Sequence, residues 1–144
     1  MDNHYKRLEN LFIAFLAIQT TFTLVALYLS VNDLYFAVPV NLNYIKIFIM
    51  IQIFITIVYG NYFFKSRFRL AEKEAENESK FNHYYSGYSV RLIILAISNM
   101  MNIAAFVVTS NEIYVIVTVP LLVLYFIYKP ERKVFESGSV SSNS

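Results

Sequence analysis

"VRLIILAISNMMNIAAFVVTSNE", residues 90–112, decides how this chain is read. From Leu92 to Asn111 it carries no charge, and about 20 such residues cross the roughly 30 Å hydrocarbon core of a bilayer as a helix. Yet Ser98, Asn99 and Asn102 stand in its middle, and Arg91 at its start. On a helix, Arg91, Leu95, Ser98, Asn102 and Thr109 share one broad face, with Asn99 beside it. An amide turned to lipid leaves donors and acceptors unmatched, at a cost of several kcal/mol. The segment therefore reads as a transmembrane helix whose polar face turns toward other helices.

The rest of the chain supplies those helices. Leu11–Val31 and Ile45–Phe64 are apolar over comparable lengths, and Ile113–Tyr128 is shorter, uncharged and interrupted by Pro120. With residues 89–109, this makes four spans, joined by an external loop (32–44), an inner loop (65–88) and an external turn (110–112). Residues 1–10 and 129–144 form the two ends. The composition agrees: 57% of the 144 residues are hydrophobic and 15% charged, where soluble domains carry about a quarter charged residues. The expected fold is all-α, an integral membrane four-helix bundle.

Basic residues orient it. Lys6 and Arg7 precede the first span; Lys65, Arg67, Arg69, Lys73, Lys80 and Arg91 fall between the second and third; Lys129, Arg132 and Lys133 follow the fourth. Only Lys46 lies on the other side. By the positive-inside rule both termini and the inner loop are cytoplasmic, N-in and C-in. The first span is too long for a signal peptide and lacks a small-residue cleavage site, so it reads as a retained anchor. Tyr28, Tyr35, Tyr44 and Tyr114 at the outer level, and Tyr62, Tyr84, Tyr85, Tyr88 and Tyr128 at the inner level, suit the headgroup layer.

The loops carry further signals. The outer loop "NDLYFAVPVNLNY" (32–44) is apolar enough to lie along the interface or fold over the bundle's mouth. Asn111 suits a cap for the fourth helix, and Glu112 its positive end. The inner loop reads as a continuation of the second helix with Gly87 as a break before the third, and the Ser-rich tail reads as disordered. Lys65, Arg67 and Arg69 match anionic headgroups.

The first span can be laid over the third without a gap: "LAIQTTFTLVALYLSVND" (16–33) over "LAISNMMNIAAFVVTSNE" (95–112). Gln19 then meets Ser98, Thr20 meets Asn99, and Thr23 meets Asn102. A duplication of this kind makes two parallel helical-hairpin repeats about an axis along the membrane normal. Counting inward from the helix ends places Gln19, Thr20, Gln52, Asn99, Asn102 and Thr118 near mid-membrane, at least one from each helix, and Thr23 and Thr56 share the polar faces of the first and second spans. Two readings of this candidate intramembrane polar network stand. One is glue, interhelical hydrogen bonds of about 0.6–2 kcal/mol each. The other is a polar pathway for a small solute. Arg91 is the candidate interfacial charge, either snorkelling to headgroups or pairing with an inner-loop glutamate or a neighbouring helix's carbonyls.

Several chemistries are excluded. No carboxylate lies deep in a span, as proton- or sodium-coupled carriers usually require. His4 and His83 lie outside the spans, and there is no cysteine. No buried serine has a histidine partner to activate it. The chain reads as no enzyme, with no cofactor or metal and no nucleic-acid partner. Its expected partners are the lipid bilayer and a homo-oligomer or larger membrane complex.

The stretches "YSVRLIILAISNMMNIAAFVVTSN" (88–111), "LLVLYFIYKPERKV" (121–134), "GNYFFKSRF" (60–68) and "AIQTTFTLVALYL" (17–29) resemble a family of small, uncharacterised bacterial four-span membrane proteins. The resemblance implies a bacterial inner-membrane location and this fold, and no activity. Members of that family often carry a glutamate followed by Gly-Pro in the third helix. Here Ala96, Ile97 and Ser98 stand at those positions, so that glutamate's chemistry is lacking or falls to the asparagines.

Overall fold

The computed structural model describes residues 2–34, 38 and 41–130. Tyr35, Pro39 and the Ser-rich end of the tail lie outside the described residues. Among these, the protein is all-helical: α1 (Asp2–Val31), α2 (Leu42–Lys73), α3 (Asn77–Thr109) and α4 (Ile113–Ile127). The first three are long and apolar enough to cross a membrane; α4, at 15 residues, is a shorter apolar helix. Pro120 sits inside α4, where it removes one backbone donor.

The inner loop departs from the sequence reading in its second half. α2 continues into it to Lys73 as expected, but α3 already starts at Asn77, so only Glu74–Glu76 form the turn. Gly87 does not break the helix. It is buried within α3, and a Cβ added there would stand 3.2 Å from Arg67 Cβ and 3.4 Å from Phe64 Cδ2. Glycine in a helix interior costs up to about 1 kcal/mol relative to alanine. At this position it admits close approach of α2 instead. Aromatic contacts extend the seam: Phe64 meets Tyr88 edge-on at 4.8 Å, and Phe68 meets Tyr84 at 5.2 Å. Burial pushes the Tyr84 phenol above its ordinary value, and the charge of Glu72 adds to this. Tyr84, Tyr88 and Tyr114 are thus packing residues, whereas Tyr28, Tyr44 and Tyr62 remain exposed as expected of interfacial rings.

α3 is the central element. α2 packs along one side of it, α1 and α4 against the rest, and α1 and α2 hardly touch. This arrangement lacks the pseudo-twofold that two hairpin repeats would show, because α3 and α4 pack together while their counterparts do not. Two apolar clusters form the interior. The first joins Ala26, Ile49, Ala105, Phe106, Tyr114 and Val115; the second joins Phe12, Leu92, Leu95, Leu121 and Tyr125. Along α3 the buried polar residues Ser98, Asn99 and Asn102 fall between them.

Both ends are tied. At the outer end Val38 N–H donates to Val108 O at 3.0 Å, so the loop satisfies one of the carbonyls that α3 leaves unpaired at its C-terminus. Asn111 Oδ1 accepts from Ile113 N–H at 3.1 Å, at the start of α4. At the inner end residues 2–10 belong to α1: Leu8 is fully buried, Arg7 stacks over the Tyr85 ring at 4.9 Å, and Tyr5 OH donates to Pro130 O at 3.2 Å.

Gly87→Leu is expected to force α2 and α3 apart and to destabilise the protein by about 1–3 kcal/mol, the usual penalty of overpacking. Thermal unfolding in detergent reads this as a lowered Tm; an unchanged Tm would show that the seam opens freely.

Candidate functional site: a buried polar layer and an arginine cradle

The polar layer is built on α3. Ser98, Asn99 and Asn102 are fully buried, because one helical turn turns all three toward neighbouring helices. Asn99 Nδ2 donates to Gln19 Oε1 at 2.7 Å and to Thr23 Oγ1 at 3.4 Å. This joins α1 to α3 through side chains 80 positions apart in sequence. Thr23 in turn donates to Gln19 O at 2.9 Å, one turn back on its own helix. Gln19 and Thr23 are 2% and 4% exposed, so the group is closed off from solvent and from lipid.

The other residues expected in this network take different places. Asn102 Nδ2 donates to Ser98 O of its own helix at 3.1 Å, and Thr118 Oγ1 donates to Val115 O at 2.7 Å, beside the turn that Pro120 interrupts. Both are fully buried. Thr56 is buried on α2 and donates to Gln52 O at 2.8 Å; Gln52 Nε2 reaches Thr56 Oγ1 at 3.4 Å. These two belong to the α2 side of α3, and no bond joins them to Gln19 or Asn99 among the described residues. Thr20 is exposed. One residue of rotation separates it from Gln19, and only one of the pair can face α3. The network is therefore Asn99 bonded across to Gln19 and, at longer range, Thr23, flanked by hydroxyl and amide groups that return to their own helices, as such side chains commonly do.

Three oxygens of the layer find no donor among the described residues: Asn99 Oδ1, Asn102 Oδ1 and Ser98 Oγ. Gln52 Oε1, on the other side, is also unpartnered. Acceptors are thus in surplus in the layer, and none of its side chains carries charge.

Arg91 forms a separate site at the inner end of α3. Its guanidinium donates through Nη2 to Asn61 Oδ1 of α2, and Tyr128 OH donates to that same oxygen at 3.2 Å. The Arg91 Cζ lies 3.1 Å from the centre of the Tyr128 ring and 4.7 Å from that of Phe64. Arg91 is therefore held between two aromatic faces, a cation–π arrangement, with one neutral oxygen as its acceptor. No carboxylate among the described residues lies within 4.0 Å of it. Neither a glutamate nor a backbone carbonyl takes the role considered for its partner. The arginine stem passes Gly60, where an added Cβ would stand 3.8 Å from Arg91 Cγ, an ordinary packing contact. Close by, Tyr125 OH donates to Leu92 O at 3.0 Å and locks α4 to α3.

Asn61, Phe64 and Tyr125 were not singled out by sequence reasoning, and Tyr128 only as an anchor. One signal was present. Asn61 stands three residues inside the end of its span and Arg91 just inside the start of the next, so the two share a depth.

A double-mutant cycle of Gln19→Leu and Asn99→Leu is expected to show about 0.6–2 kcal/mol of coupling, measured by unfolding in detergent; zero coupling would remove the bond from the account. Arg91→Lys is expected to lower the Tm nearly as much as Arg91→Ala. An ammonium has neither the planar fork nor the stacking face of a guanidinium.

No family model matches this chain, and neither a curated protein nor a solved structure is similar to it, so no family or activity is carried over.

Proposed function

We propose that this chain is a multi-pass protein of the bacterial inner membrane, with four spans and both termini cytoplasmic. It acts there without catalysis, as an accessory or assembly module whose partners are the bilayer and either further copies of itself or a larger membrane complex. The observation that carries this reading is the direct bond from Asn99 to Gln19, at 2.7 Å and shielded from outside. Side chains that bond directly across a helix pair serve cohesion, and the three long apolar helices support a membrane setting. The basic residues on the α2–α3 turn side support the orientation.

A second reading, a small oligomeric channel or transporter with an uncharged polar lining, rests on the unpartnered oxygens of Asn99, Asn102 and Ser98. These would accept hydrogen bonds from a neutral solute. They could not carry a proton cycle, since none of them titrates.

Because the chain has no cysteine, single cysteines report topology cleanly. An impermeant maleimide applied to intact cells is expected to label Asn41→Cys and to spare Ser66→Cys, both at exposed positions; the reverse pattern would overturn the orientation. For the role, Asn99→Leu with Asn102→Leu is expected to destabilise the fold in detergent without changing the swelling rate of proteoliposomes in urea or glycerol. Intact stability with a lost flux would instead establish the transport reading.

A further inference from the structure

We infer that α2 is a self-association helix, on which a second copy of this chain seats with Gln52 paired to Gln52 across a twofold axis. The inference deepens the assembly reading above and rests on its membrane placement.

Among the described residues α2 packs chiefly against α3, with Tyr128 beyond α4 reaching Asn61. Of the 32 residues of α2 only Ile49, Thr56, Gly60 and Ala71 are buried, and these are the positions that face α3. Its remaining surface is apolar in the span, which lipid alone could cover. Gln52 is the exception. It sits in the middle of the span, and its Nε2 has only the 3.4 Å contact with Thr56 on the same helix. Its Oε1 is enclosed by the chain's own atoms and has no donor among the described residues, and an unmet buried amide oxygen costs several kcal/mol.

The surroundings of Gln52 are apolar. A shallow groove of about 290 Å³ runs beside it, lined on α2 by Phe48, Ile51 and Ile55 and on α3 by Ile94 and Ile97. Phe48, Gln52, Ile55, Tyr59 and Tyr62 recur at spacings of four, three, four and three. This is the 3.5-residue period of a seam that packs against a like helix. Phe48, Ile55, Tyr59 and Tyr62 are each at least half exposed. A single polar residue within such a seam fixes register and partner number.

The chemistry selects a second copy over another partner. A primary amide carries both acceptor and donor, so two glutamines related by a twofold axis satisfy each other reciprocally, Oε1 to Nε2 in both directions. Copies inserted the same way bring their α2 helices together in parallel, which places the two Gln52 residues at one depth. The amide turns about its last, soft torsion to leave Thr56 and face its mate.

The absence of native cysteine makes the test direct. In native membranes, Phe48→Cys and Ile55→Cys are expected to form disulfide dimers under mild oxidation. Met50→Cys and Ile57→Cys, on the opposite face of α2, are expected to stay monomeric. Adding Gln52→Leu is expected to lower the Ile55→Cys dimer yield about tenfold at matched expression, consistent with the strength of interhelical amide bonds. Equal cross-linking at all four positions, no cross-linking at the seam, or a yield untouched by Gln52→Leu would each overturn the inference. Membrane extraction of the same samples separates the two failures. Protein that stays in carbonate-washed membranes yet never cross-links sinks the inference alone. Protein released by carbonate sinks the membrane reading beneath it.

Discussion

A polar group sealed inside an apolar bundle must find its partner within the bundle, and the hydrogen bond from Asn99 to Gln19 is where this chain meets that demand most directly. Its consequences are geometric. The bond fixes the azimuth of α1 about α3, and with it which residues of α1 are interior. Leu8, Phe12, Gln19, Thr23 and Ala26 share the buried stripe, while Thr20 is turned outward. Apolar contacts alone tolerate rotation, since one leucine packs much like another. An amide does not.

α3 holds the other helices because it is polar on more than one side. Asn99 addresses α1, Tyr125 reaches back from α4 to the Leu92 carbonyl, and Arg91 engages Asn61 of α2. Each contact names a particular partner, and between them lie two apolar clusters that contribute area rather than direction. The inner end adds a different device. Gly87 lets the backbones of α2 and α3 close up beneath the aromatic pairs Phe64–Tyr88 and Phe68–Tyr84, so what looked like a loop becomes a helical hairpin.

Much of this was legible in the residues. Apolar length marked the three long helices, and the cost of exposing an amide or a hydroxyl to lipid marked Gln19, Asn99, Asn102 and Thr118 as buried. What could not be read was the angular order of the helices around α3. Counting from helix ends gives depth, and depth brought Gln52 and Gln19 to one level without showing that α3 stands between them. The same limit hid the Arg91 site: charge rules look for a carboxylate, whereas aromatic faces and one shared amide oxygen hold the guanidinium. Gly87 misled for a related reason, since a glycine that permits close packing is written like one that ends a helix.

The brevity of α4 bears on the lipid beside it. Fifteen residues of helix rise only about 22 Å, against roughly 30 Å of hydrocarbon in an average bilayer. Glu112 and Lys129 bracket this short wall, and Ile116, Val123 and Phe126 line its exposed flank. Seated in a membrane, the protein presents unequal hydrophobic heights around its circumference. A bilayer spanned by α4 would thin there while keeping its full depth along α2, a mismatch that costs fractions of a kcal/mol per ångström. Such a thickness gradient gives the molecule a preferred bearing among its neighbours before any protein contact is made, with the tall face of α2 suited to ordinary bilayer and α4 to its thinner places.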